Sequence, residues 1–289
     1  MATLIDLRRR IRSVKNTRQL TKAMKSVSAA KLKRAQNQVY QTRPFSQKLA
    51  SILSNIRART PDLKHPFFNE REEKIIDIII ITGDKGLCGA FNSNTLKFAE
   101  TKVKELKGEE KTVNTIILGK KGYDFLRFKG EEIKDYFIGF FMKLDYLKSV
   151  EISDKIISDF LEGKSDAIYM IYNKFHSVSK TEIVFEKLLP IGEMEEIKEE
   201  EEMLEYEFEP SPEEIFESLL PTYLKNYFYR ILLESAASEH AARMVAMDLA
   251  TRNASDMIDS LTLTMNKIRQ AAITKEILEI TTATEAMKK

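Results

Sequence analysis

From Thr222 to Lys289 the chain contains neither glycine nor proline, the two strongest helix breakers. Met244, Met247, Thr251, Ala254, Ile258, Leu261, Met265, Ile268 and Ala272 recur within it at alternating steps of three and four. That rhythm predicts the seam of a coiled coil. At about 1.5 Å of rise per residue the helix would be roughly 100 Å long. No domain of ordinary size buries such a rod, so it must pair with another helix and then project. The seam is rich in Ala, Met and Thr, which allow close approach. They contribute little burial, at about 25 cal/mol per Å² of apolar area.

A candidate partner opens the chain. Met1 to Arg43 also lacks glycine and proline, and Leu4, Leu7, Ile11 and Val14 mark a seam. Leu20, Met24 and Val27 are expected to continue it after a shift near Thr17, with the helix kinked or ended near Pro44. Twelve Lys or Arg residues and one acid, Asp6, occupy these 43 positions, although the whole chain has a net charge of only +2. A basic rod of this kind suits an acidic partner or nucleic acid. Its one aromatic residue, Tyr40, provides no stacking platform and speaks against nucleic acid.

Between the two helical ends the pattern changes. Strands are expected over Ile75–Thr82, Thr112–Leu118, Ala167–Phe175 and Thr181–Leu189, the last two as an antiparallel pair. Helices are expected over Ser93–Leu106, Lys120–Phe128 and Leu147–Leu161. This order predicts an α/β layer domain with a mostly parallel sheet. Tyr169, Tyr172 and Phe175 read as core. Glu193 to Glu217 holds thirteen glutamates and one cation, Lys198, as expected of a solvated, mobile linker. Pro212 with Glu213 and Glu214 suits a helix start.

Candidate chemistry is sparse. Gly83-Asp-Lys-Gly-Leu-Cys-Gly89 follows a strand and precedes a helix, where a phosphate loop would sit. Its spacing matches neither nucleotide fingerprint, so a tight strand-to-helix turn is the stronger reading. His65, His176 and His240 are far apart and none has a second ligand at metal spacing. His240 is expected on the surface or in the seam. No nucleophile elbow is present. The lone Cys88 excludes an intramolecular disulfide and fits a reducing compartment. The basic, amphipathic start lacks the apolar segment of a signal peptide. The longest apolar run, Ile75 to Ile81, contains Asp77 and is too short to span a bilayer, so membrane association is expected to be indirect.

Three segments carry a specific resemblance. Ile11-Arg-Ser-Val-Lys-Asn-Thr-Arg-Gln-Leu-Thr-Lys-Ala-Met24 with Ala29-Ala-Lys-Leu-Lys-Arg-Ala35 is one. Glu239-His-Ala-Ala-Arg-Met-Val-Ala-Met247, Ala250-Thr-Arg-Asn-Ala254 and Arg269-Gln-Ala-Ala-Ile-Thr274 form the second, and the glycine segment through Asn92 is the third. Together they resemble the gamma subunit of bacterial F-type ATP synthase. The sequence departs from that family at Gly83, Lys85 and Ala90, where Ser, Arg and Gly are common. Near Ile280–Glu285 it lacks a usual glycine, so the tip stays helical or packs differently. Because the similar segment begins within the first dozen residues, no room is expected for a presequence.

The resemblance implies a long antiparallel coiled coil of the terminal helices with an inserted Rossmann-like α/β domain. It divides the chain into an N-terminal helix (1–60), the α/β domain (70–192), an acidic linker (193–212) and a C-terminal helix (213–289). It further implies the central rotor shaft of a proton-translocating ATP synthase, with no catalytic residue, cofactor or metal of its own. The expected partners are alpha and beta subunits, epsilon and the membrane ring of c subunits, with no nucleic acid. The expected location is the cytoplasmic face of the bacterial membrane, peripherally and through the complex. Lys15, Arg18, Lys22, Met24, Lys25, Arg269 and Gln270 would contact beta subunits. Met247, Ala254, Ile258, Leu261, Met265 and Ile268 would form the seam. Two rival readings are a nucleotide-dependent enzyme built on the glycine loop and a nucleic-acid-binding coiled coil.

Overall fold

The structure is a computed structural model and describes residues 4–60, 65–142, 144–192 and 208–287. The acidic linker expected over 193–212 lies largely outside them, at 193–207. The chain divides into two compact units, Met1–Ser28 with Met244–Lys289, and Ala29–Arg243. Two long helices contribute to both: α1 (Leu4–Arg59, 56 residues) and α5 (Pro212–Ala286, 75 residues).

In the first unit the two helices run antiparallel. The hydroxyls of Thr21 and Thr251 share a hydrogen bond of 2.8 Å, and Lys25 Nζ donates to Asp248 at 2.5 Å. Along α1, Leu7, Ile11, Thr21 and Ser28 are buried, with Val14, Arg18 and Lys25 half-buried between them. The three-four rhythm therefore continues without a break, and the shift expected near Thr17 does not occur. Leu20 and Val27, assigned to the seam by their side chains, are 61% and 57% exposed. Thr21 occupies the seam because Thr251 faces it and satisfies its hydroxyl, which removes the penalty of burying a polar group. On α5, Met247, Ala254 and Ile258 are buried, and Leu261, Met265 and Ile268 half-buried. Every residue from Arg269 to Thr284 is exposed, yet the helix continues to Ala286, so the tip stays helical.

The second unit is built on a five-stranded sheet. Its strands are β1 (Ile75–Ile81), β2 (Thr112–Leu118), β3 (Asp135–Phe137), β4 (Ala167–Ser177) and β5 (Lys180–Leu189), in the order β3-β2-β1-β4-β5. The first four pair in parallel, with Ile76 opposite Val113 and Ala167. β5 returns antiparallel from the hairpin at Ser177–Lys180. Helices α2 (Phe91–Gly108), α3 (Lys120–Lys129) and α4 (Tyr146–Leu161) connect the parallel strands. β3 has no counterpart in the sequence reading. It is three residues long and pairs on one side only, so it needs no run of apolar residues.

Successive strand residues point to opposite faces, and this assigns the layers. Ile76, Ile78 and Ile80 pack with Leu96 and Ala99 of α2 and Leu126 of α3. Ile79 and Ile81 pack with Ile152, Ile156 and Phe160 of α4. That same core holds Leu49, Leu53 and Ile56 of α1 and Phe216, Leu220, Leu224, Phe228, Ile231 and Leu232 of α5. This burial explains why α1 runs past Pro44 to Arg59 despite the backbone bond a proline removes. Asp77, the one acid in the isoleucine run, is paired with Lys134 Nζ at 2.6 Å and Asn114 at 2.9 Å. α5 starts at Pro212, with the Ser211 hydroxyl accepting from the Glu214 N–H at 3.2 Å and Glu213 and Glu214 in the first turn.

Candidate functional site: a glycine loop clamped on the C-terminal helix

A densely bonded polar site lies in the second unit, where the loop after β1 meets residues 239–243 of α5. Asp84 ties the loop to its surroundings. Its two carboxylate oxygens accept backbone N–H bonds from Lys120 (3.0 Å), Gly139 (2.9 Å) and Phe141 (3.0 Å). Asn92, at the start of α2, accepts from the Gly83 N–H at 2.8 Å and donates to the Lys85 carbonyl at 3.4 Å. Leu87 takes a positive φ of 61°, uncommon for a branched residue, and the surrounding bonds hold it there.

α5 closes the site from the other side. Glu239 and Arg243, one turn apart, form an ion pair with relative exposures of 5% and 8%. Arg243 Nε donates to the Gly86 carbonyl and Nη2 to the Lys85 carbonyl, both at 3.2 Å. The loop thus turns carbonyl oxygens toward a guanidinium, the reverse of a phosphate cradle, which presents N–H groups. A Cβ on Gly83 would sit 2.7 Å from Glu239 Oε1, so any larger residue there requires the carboxylate to shift.

The electrostatics follow from burial. Desolvation pushes the Glu239 carboxyl above the usual carboxylate range and outweighs the Arg243 guanidinium beside it. Burial likewise raises the Cys88 thiol. His240 is pushed down to about 4 by burial and by the nearby cations Arg243 and Lys31. A neutral imidazole can accept at Nδ1, which lies 3.3 Å from Arg243 Nη1. His240 is therefore a mostly buried member of the clamp, and it lines a cavity with Lys31, Arg34 and Ala35 of α1, as the expected seam position would.

The bonds from Arg243 to the Lys85 and Gly86 carbonyls hold the loop and the helix together. Among the described residues no group of His, Cys, Asp or Glu could hold a metal ion, and no helix is long and apolar enough to cross a membrane. The sequence-assigned contact residues lie elsewhere, in the first unit. Lys15 and Lys22 are exposed, Arg18 and Met24 half-exposed, and Lys25 is engaged with Asp248, which also pairs with Arg252 at 2.9 Å. Arg269 and Gln270 are exposed just past Ile268, the last half-buried seam position. The clamp itself was missed by the sequence reading. Its signal was an acid and an arginine at i and i+4 among small residues, Ala236 to Ala242, where little else needs a charge.

Comparison with known proteins gives a consistent result. The family model described as ATP synthase matches residues 3–287. The chain is 44% identical over 288 residues to the ATP synthase gamma chain of Pelotomaculum thermopropionicum, with all of both chains covered. It is 45% identical over 290 residues to that of Solibacter usitatus, covering 99% of each. Among solved structures, a chain of the Euglena gracilis mitochondrial ATP synthase in rotational state 3 superposes with a TM-score of 0.67. The identity is 20%, over 98% of this chain and 94% of that one. A chain of the Tetrahymena thermophila central stalk and c-ring gives 0.59 at 24% identity, over 80% and 99%. The structural likenesses bear on the fold alone, and it agrees with the α/β class and long helices described above. Full-length identity above 40% to curated relatives, together with a family match across the chain, places this protein in the ATP synthase gamma chain family.

Proposed function

We propose that the chain turns as the central shaft of its ATP synthase, with the Glu239–Arg243 clamp passing torque from the α/β body into α5. As a gamma chain it is a non-catalytic subunit, and its work is mechanical coupling between ion flow and ATP turnover. The observation that carries the reading is the clamp. A buried ion pair on an uninterrupted 75-residue helix is bonded to two carbonyls of a loop anchored at both ends. Force applied to the sheet reaches the helix through these bonds and through the apolar core.

In this reading residues 1–60 and 213–289 supply the shaft, 70–192 the body that takes up torque and 193–212 an acidic connection. The shaft enters a ring of alpha and beta subunits, with Arg269, Gln270 and Met24 against beta and the basic face of Lys15, Arg18 and Lys22 toward acidic loops. Lys25 serves the coil through Asp248. The body and the foot of the coil engage epsilon and the c-ring at the cytoplasmic face of the bacterial membrane. Nucleic acid is not a partner. Support for these contacts is the exposure of the cationic face and of the helical tip.

Rotation is tested by immobilisation. Cys88→Ser gives a cysteine-free background, and Lys22→Cys is paired with a cysteine on the facing beta loop. A disulfide forms only when Cα atoms come within about 7 Å, so bonding also reports proximity. Oxidation should stop ATP hydrolysis by the assembled complex, and reduction should restore it. Full turnover in a demonstrably cross-linked complex would exclude rotation.

A further inference from the structure

Beside Pro44 of α1 and Pro221 of α5, a cavity of about 100 Å³ opens between the two helices. Arg43, Gln47 and Ala50 line one wall, and Tyr223, Tyr227 and Arg230 the other. An interior proline loses one backbone bond and crowds the preceding turn, which bends a helix.

The chemistry of the cavity is one-sided. Two of its lining residues are arginines and none is a carboxylate. Arg230 is half-buried, and its Nε is fully enclosed with no hydrogen-bond partner among the described residues. Enclosed in this way, the Nε does not itself open onto the cavity. The guanidinium is held in place: it lies over the Tyr227 ring at 4.8 Å, and the Tyr227 hydroxyl donates to Glu186. Glu186 also accepts from Tyr172 at 2.7 Å, so it is engaged by two hydroxyls. Glu234, one turn beyond Arg230, is mostly buried, and burial raises its carboxyl against the pull of the Arg230 guanidinium.

Size narrows the ligand further. A free volume of about 100 Å³ admits one small tetrahedral ion. Planar guanidinium groups match the oxygen edges of such an ion, with two N–H donors to two oxygens. We propose that this cavity binds one free oxyanion of the phosphate class, held between Arg43 and Arg230. Occupancy would tie α1 to α5 within this unit and make the stiffness of the helix pair respond to free phosphate.

The test uses the purified full chain, titrated with radiolabelled inorganic phosphate by equilibrium dialysis, with chloride holding the ionic strength constant. One saturable site per chain is expected, with sulfate competing and chloride not. Arg43→Ala should weaken phosphate binding about tenfold, the usual effect of losing a charge-assisted contact. Gln47→Glu, which sets a like charge against the anion, should weaken it at least as much. Arg43 and Gln47 are exposed, so both variants remain folded and decide the question even if Arg230→Met does not fold. Non-saturable uptake would overturn the proposal, because water alone then fills the cavity. So would equal affinity in the wild type and both exposed variants, because the anion then sits elsewhere.

Discussion

Glu239 Oε1 lies 2.7 Å from the point where a side chain on Gly83 would begin. The carboxylate that must shift to admit it is the one paired with Arg243, so the glycine and the ion pair are coupled. Gly83→Ala is expected to destabilise the isolated subunit by about 1–3 kcal/mol, the usual cost of overpacking. Gly86→Ala is the matched control. Its nearest atom would be Lys121 Cε at 3.7 Å, an ordinary contact. Thermal unfolding of the two variants should separate them clearly, and equal losses would show that Glu239 has room to move.

Removing one member of the pair should cost more than removing both. Arg243→Met leaves Glu239 buried without its cation and the Lys85 and Gly86 carbonyls without their donor, a loss of about 3–5 kcal/mol. The double variant Glu239→Gln, Arg243→Met should recover part of that loss. A double-mutant cycle on urea midpoints measures the recovery, and strict additivity would mean the two side chains act separately.

His240 should make the subunit acid-sensitive. Its folded pKa lies near 4, below the unfolded value of about 6.5. A depressed pKa means that the folded state binds fewer protons. The associated stability is present above about pH 6.5 and is lost as pH falls toward 4, reaching up to about 3 kcal/mol. The physical event is protonation against Arg243 and Lys31. His240→Gln keeps an acceptor without a proton to gain, so its melting temperature should fall less between pH 7 and pH 4.5. Parallel profiles would place the acid sensitivity elsewhere.

The seam gives a contrast between neighbours. Ile11→Ala is expected to cost about 2–5 kcal/mol because the side chain is buried. Leu261 is only half-buried, so Leu261→Ala should cost less than Ile11→Ala. Leu20→Ala should fall within about 0.5 kcal/mol of the wild type in the isolated subunit, because Leu20 faces solvent. A large loss at Leu20 would restore the seam shift expected from sequence.

The sheet was legible because its strands are buried on both faces. Ile75–Ile81 is apolar throughout except for Asp77, and only a central strand needs that. The long helices were legible through missing breakers and a three-four rhythm. What failed was the assumption that seam positions are apolar. Thr21 and Ser28 are buried while Leu20 and Val27 are exposed, and at Thr21 the hydroxyl of Thr251 meets the buried polar group. The clamp was hidden for a different reason. Arg243 bonds to backbone carbonyls 157 and 158 positions away, and carbonyls leave no trace in side-chain patterning.

The exposed end of α5 has a mechanical consequence. Up to Ile268 the helix is braced by a neighbour, while from Arg269 to Thr284 it stands as a single strand of helix. Bending two bonded rods requires stretching one against the other, whereas one rod bends alone. A lone helix of this length is also near the limit of stability in water, so its ladder opens most readily from the free end. The element therefore changes gauge along its length, stiff where it is doubled and compliant where it is single.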